Sequence, residues 1–201
     1  VAVGSNALDA NTTANDNTAV GHNSLTAATT GAGNTAVGAF SLITVTDGTS
    51  NTAMGLSALR TNAASNNTAL GQSAMYANTT GGNNTAVGAN ALDTNTTGAS
   101  NVCLGYNAGT AITTGGENTC VGATAGDALT TGTNNVVIGS GSAVSAVDGS
   151  GANVMGRNVS GVAGYTTLGS GSDDIAAAHG NVTWATVSDE RVKKDIEDAT
   201  V

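Results

Sequence analysis

The sequence predicts an all-β fold, a parallel β-solenoid wound from 17-residue coils. Three observations carry that expectation. The first is a repeat: Asn17-Thr18-Ala19-Val20-Gly21 returns at Asn34, Asn51, Asn67, Asn84, Asn101, Asn118 and Asn135. Its closing glycines, from Gly4 to Gly156, stand 17 residues apart, with one spacing of 16 between Gly55 and Gly71. The second is composition. The 201 residues contain no proline, 29 glycines, 2% aromatics and 9% charged residues. A conventional enzyme core is not expected, because globular domains carry about 25% charge and bury large aromatic surfaces. Disorder is not expected either, because it calls for high charge and abundant proline. The third is the length of the unit. Seventeen residues are too few for a helix pair, and no 3.6-residue periodicity runs through them.

Each part of the coil has a physical reason. The NTAVG run, bounded by Gly, Asn and Thr, reads as a short strand between turns. Pairing each strand with its equivalent one coil along gives a rod roughly 45 Å long at about 4.8 Å per coil. The anchor glycine answers to a backbone that turns at φ > 0 or lets another backbone approach. Seven residues earlier a second glycine column (Gly31, Gly48, Gly81, Gly98, Gly115, Gly132, Gly149) usually follows a Thr-Thr pair. Three residues after the anchor comes Ala or Ser, then usually Leu or Met. The stacked asparagines are expected to hydrogen-bond one another along the rod. Strand alternation puts Thr and Val on one face and Ala on the other. Both columns carry apolar substitutes (Val102, Leu104, Cys103, Cys120, Val137), so the strand is expected to be buried on both faces. One face belongs to the coil interior. The other calls for neighbouring chains around a shared axis.

The xxNTAVGxxALxx coil resembles the head repeats of YadA-like trimeric adhesins, with their N-x-[VA]-[AV]-[IV]-G-x-x-[AS] core. It is closer still to the GxxNTAVGxxAL arrays of phage tail-fibre-like proteins. The resemblance covers about residues 1–170 and departs from the YadA pattern in its longer coil, the excess lying in the TTG loop. It implies a left-handed parallel β-roll, three of which pack about a threefold axis.

The charge distribution then breaks. Of 19 charged residues, eight fall in the last 14 positions, after Ser188. The run Val187-Ser188-Asp189-Glu190-Arg191-Val192-Lys193-Lys194-Asp195-Ile196 resembles the opening of the endosialidase-type intramolecular chaperone of tail spikes and tail fibres. That resemblance implies trimer assembly followed by self-cleavage, with Ser188 as nucleophile and Lys193 as its base. The plainer reading has Ser188 capping a short charged helix that starts at Asp189. The expected organisation is a β-roll over 1–170, a neck over 171–187 and the start of the chaperone over 188–201.

Other residues offer less. Cys103 and Cys120 share one column on adjacent coils, within disulfide reach. They read first as small buried replacements for Ala, with a disulfide as the alternative. His22 and His179 read as solvent-facing loop residues. The acids are scattered singly, with no carboxylate pair across a cleft, and no metal or cofactor is expected. The net charge of −9 argues against nucleic acid, and no apolar stretch is long enough to span a membrane. Rows of threonine raise ice binding as a minor rival. The expected function is a non-enzymatic structural and adhesive segment of an extracellular fibre, viral or bacterial. It would be a homotrimer, with a host or cell-surface receptor possible as a partner. Val1 opens in mid-coil, so the alternative is a filament subunit that stacks through an open sheet edge.

Overall fold

In the computed structural model, residues 1–171 and 174–180 are described in full, and residues 185–186 by their backbone. The described residues are all-β, without a helix. One 13-stranded sheet runs the length of the rod. Its first nine strands are β1 (Ala2–Val3), β2 (Thr18–Val20), β3 (Thr35–Val37), β4 (Thr52–Met54), β5 (Thr68–Leu70), β6 (Thr85–Val87), β7 (Val102–Leu104), β8 (Thr119–Val121) and β9 (Val136–Ile138). All pair in parallel and in register, Thr18 on Thr35 and Thr35 on Thr52. The shortened coil is absorbed without a slip, because Thr52 still meets Thr68. The predicted parallel solenoid of 17-residue coils is therefore the fold.

The ladder ends differently from the repeat. A two-stranded sheet pairs β10 (Ala143–Val144) with β12 (Ser160–Gly161). β11 (Asn153–Arg157) and β13 (Tyr165–Ser170) continue the main sheet in parallel through a 13-residue step, Asn153 facing Thr166. The chain then reverses. β14 (Ile175–Ala178) runs antiparallel to β13, and β15 (Ala185–Thr186) antiparallel to β14. The stretch read as a neck thus adds two strands to the same sheet. The helix expected after Ser188 lies outside the described residues.

The core is a narrow stack of columns. The Ala column of the strands (Ala19, Ala36, Ala53, Ala69, Ala86, then Cys103, Cys120, Val137 and Val154) is wholly buried in the coil interior. The Thr and Val columns flank it on the outer face and are half-buried or exposed. The sequence predicts burial on both strand faces; among the described residues only the inner face is buried. Opposite the Ala column sit Leu25, Leu42, Leu59, Met75 and Leu92, fully buried. Each holds φ near +50°, a left-handed conformation that costs about 1–2 kcal/mol in a non-glycine residue. Burying such a side chain contributes about 1.5–3 kcal/mol, so burial wins.

The two glycine columns have different causes. At the anchor, Gly71 has φ +140° and a Cβ there would lie 2.5 Å from the carbonyl oxygen of Gly88. In the TTG column no left-handed φ is required, but a Cβ on Gly81 would overlap the Gly98 carbonyl.

The asparagine column works through the backbone more than through its own kind. The Asn84 side-chain amide donates to the Gly98 carbonyl at 2.9 Å, and its Oδ1 accepts the Asn101 N–H at 2.8 Å. The same pair of bonds recurs at Asn34 and Asn101. The expected amide-to-amide bonds form in part of this column, from Asn51 to Asn34 and Asn118 to Asn101 at 3.1 Å and from Asn135 to Asn118 at 3.0 Å. A second amide ladder runs through three interior residues the repeat did not single out. Asn78 donates to Asn62 at 2.6 Å, and Asn95 to Asn78 at 2.8 Å. The next coil carries Ile112 at that position, and the Asn95 Oδ1 is left buried without a partner.

Candidate functional site

The feature with most functional content is the outer face of the long sheet. Its middle column places Val3, Val20, Val37, Met54, Leu70, Val87, Leu104, Val121, Ile138 and Met155 one above another, one per coil. Met54, Val87, Ile138 and Met155 are about two-fifths exposed. The column just past the anchor adds Leu56 (48% exposed) and Tyr106 (57%). The middle column is one residue wide and, with ten strands at about 4.8 Å, roughly 45 Å long. The threonine column beside it keeps the strip narrow.

A second feature lies at the corner preceding the strands. A groove of about 370 Å³ runs over three coils, lined by Thr97, Ser100, Thr114, Glu117, Thr133 and Asn134. Its walls mix hydroxyls, an amide and one carboxylate. Next to it the threonine hydroxyls climb from coil to coil, Thr79 to the Thr96 carbonyl at 2.8 Å and Thr96 to the Thr113 carbonyl at 3.0 Å. These threonines bond the corner together from coil to coil.

The histidines are exposed, as expected, but each has a neighbour. His22 meets Phe40 of the next coil edge-on, ring centroids 5.2 Å apart. His179 Nε2 lies 3.2 Å from the Thr166 hydroxyl and 3.4 Å from the Asn153 amide, joining the turn after β14 to β13 and β11. Arg60 lies over the Tyr76 ring and donates to its hydroxyl at 2.8 Å. Burial pushes the Asp93 carboxyl up. Among the described residues, no three His, Cys, Asp or Glu side chains come together as a metal site. No helix among them is long and apolar enough to cross a membrane.

Ser188 and Lys193, the pair implied for self-cleavage, lie outside the described residues. Cys103 and Cys120 face each other in register on β7 and β8, both free thiols and both fully buried. Hydrogen bonding to Cys120 and burial push the Cys103 thiol well above its usual range. Comparison with known protein families, curated proteins and solved structures finds no match for the chain.

Proposed function

We propose that the chain is a structural and adhesive segment of an extracellular fibre, of the phage tail-fibre or bacterial surface kind, in which three copies associate along their outer sheet faces. The observation that carries this reading is the apolar column on ten successive coils, left half-buried or exposed among the described residues. A second copy of the same strip is its natural cover, because coil spacing and side-chain size match by construction. The left-handed winding and the threefold axis are the finer parts of the reading and rest on the resemblance of the repeat. The role is mechanical: a rod held by in-register ladders, with the loop corners, including the polar groove at Glu117, free to meet a receptor.

Light scattering on the full chain tests it. The expected mass is three times that of one chain. Val87→Lys with Leu104→Lys, both on the outer face, is expected to give monomers that keep their β-sheet circular dichroism. A wild-type monomer refutes the reading. Intact mass on the same sample reports whether the chain is cut at Ser188. The filament alternative has less support: the antiparallel strands β14 and β15 end the parallel ladder on that side, so the edge there is not a copy of the coil that would stack on it.

A further inference from the structure

The Cys103 and Cys120 coils have a rearranged interior. Where the strand carries Ala at the buried position, the residue six further on is Leu or Met: Ala19 with Leu25, Ala36 with Leu42, Ala53 with Leu59, Ala69 with Met75, Ala86 with Leu92. Where it carries Cys, that residue is Gly109 or Gly126. The exchange is steric. A Cβ on Gly109 would lie 2.5 Å from the Cys103 sulfur, and one on Gly126 would overlap the Cys120 sulfur. Both thiols therefore occupy the space vacated by the leucine, on the same side of adjacent strands. In-register neighbours of a parallel sheet stand about 4.8 Å apart at Cα, within the span a disulfide bridges.

We propose that Cys103 and Cys120 are a site of oxidative modification, joined by a disulfide that staples β7 to β8 when the chain folds under oxidising conditions. Two thiols give up two protons to solvent and two electrons to a small-molecule disulfide. That oxidant is cleaved to two thiols, and one S–S bond is made in the protein. The bond is made as these two coils come together, before the neighbouring coils bury the sulfurs. In the wound solenoid both sulfurs are fully buried, and a thiol kept protonated is a poor nucleophile. Coils 17 residues apart in sequence close early in a one-dimensional array, so the two sulfurs meet before the rod is complete. After closure the same burial shields the disulfide from reductant, and the rod retains the redox state under which it folded.

The test refolds the denatured, reduced full chain in excess oxidised glutathione, or in reductant alone, and then alkylates under denaturing conditions. Oxidative refolding is expected to yield a chain two hydrogens lighter, with no alkylated cysteine and with the Cys103 and Cys120 peptides linked. Chain folded in reductant and then exposed to the same oxidant keeps both thiols. Once oxidised and folded, the protein resists dithiothreitol until denaturant is added. Two free thiols, a glutathione adduct or an intermolecular link after oxidative refolding overturns the proposal. So does oxidation of the folded chain as fast as of the denatured one. Cys103→Ala, which restores the residue of the other coils, is expected to fold and to give no internal link.

Discussion

Replacing Gly71 by Ala separates the two demands placed on the anchor column. At φ +140° the backbone sits where L-residues are strained, at a cost of about 1–3 kcal/mol. The added Cβ would also stand 2.5 Å from the Gly88 carbonyl oxygen and 2.6 Å from its carbon. Those atoms belong to the next coil's backbone and cannot swing aside as a side-chain tip would. Relieving such overpacking costs about 1–3 kcal/mol more. Gly33→Ala is the control: its φ is +70°, but the nearest atom to its new Cβ is 3.8 Å away. It keeps the strain without the clash, and the stiffer unfolded chain returns about 0.4–1 kcal/mol. With the same return for both, Gly71→Ala is therefore expected to cost about 1–3 kcal/mol more than Gly33→Ala. Thermal unfolding followed by circular dichroism reads the difference, at roughly 2–4 °C per kcal/mol for a chain of this size. Hydrogen exchange locates it. The N–H of Gly71, bonded to the Met54 carbonyl, and that of Gly88, bonded to the Leu70 carbonyl, lose protection, while the β2–β3 ladder keeps its own. Equal costs for the two variants would refute the reasoning, because contact with the next coil would then carry nothing.

Two further outcomes follow from the interior. Asn101→Ala is expected to destabilise by about 2–4 kcal/mol and Asn84→Ala by about 1 kcal/mol less, measured by chemical denaturation. Each strips the acceptor from the next coil's Asn N–H, but the Gly98 carbonyl keeps a donor in Asn95 whereas the Gly115 carbonyl loses its side-chain donor, Asn101. Gly109→Leu is expected to be strongly destabilising alone and much less so in combination with Cys103→Ala, with a coupling of about 0.5–3 kcal/mol in the double-mutant cycle.

The fold was legible because a solenoid writes its period directly into the sequence, and every coil repeats the same contact with the next. Faces were harder to read. Thr18, Ala19 and Val20 show which residues alternate, but two small apolar columns do not say which one faces inward. The answer lies across the coil, where Leu25 fills the space only against Ala. The left-handed φ of Leu25, Leu42 and Leu59 was illegible for the same reason: local preference argues against it, and a tertiary contact overrides local preference. The amide ladder of Asn62, Asn78 and Asn95 was visible as three asparagines at the repeat spacing. It was hidden by the abundance of asparagine elsewhere. The reversal at β14 carries no repeat signal, and the glycine- and serine-rich step before it reads like a linker.

The same columns decide where function can be written on such a rod. The anchor glycine, the buried asparagine and the paired Ala and Leu positions are fixed by contacts to the next coil, so they stay nearly constant along the chain. Variation is left to the other columns, two of which border the outer face and the groove. The one after the anchor runs through Ser5, His22, Ala39, Leu56, Gln72, Ala89, Tyr106, Ala123 and Ser140, with no shared chemistry. The one before the asparagine runs through Asp16, Gly33, Ser50, Asn66, Asn83, Ser100, Glu117 and Asn134, and is limited only to residues held at φ near +60°. The first borders the apolar strip and the second forms the wall of the polar groove. A chain that keeps its stacking interior constant while varying these two borders can change what it touches without changing how it stands. Of the two, the column of Ser100, Glu117 and Asn134 is the one that also lines a groove.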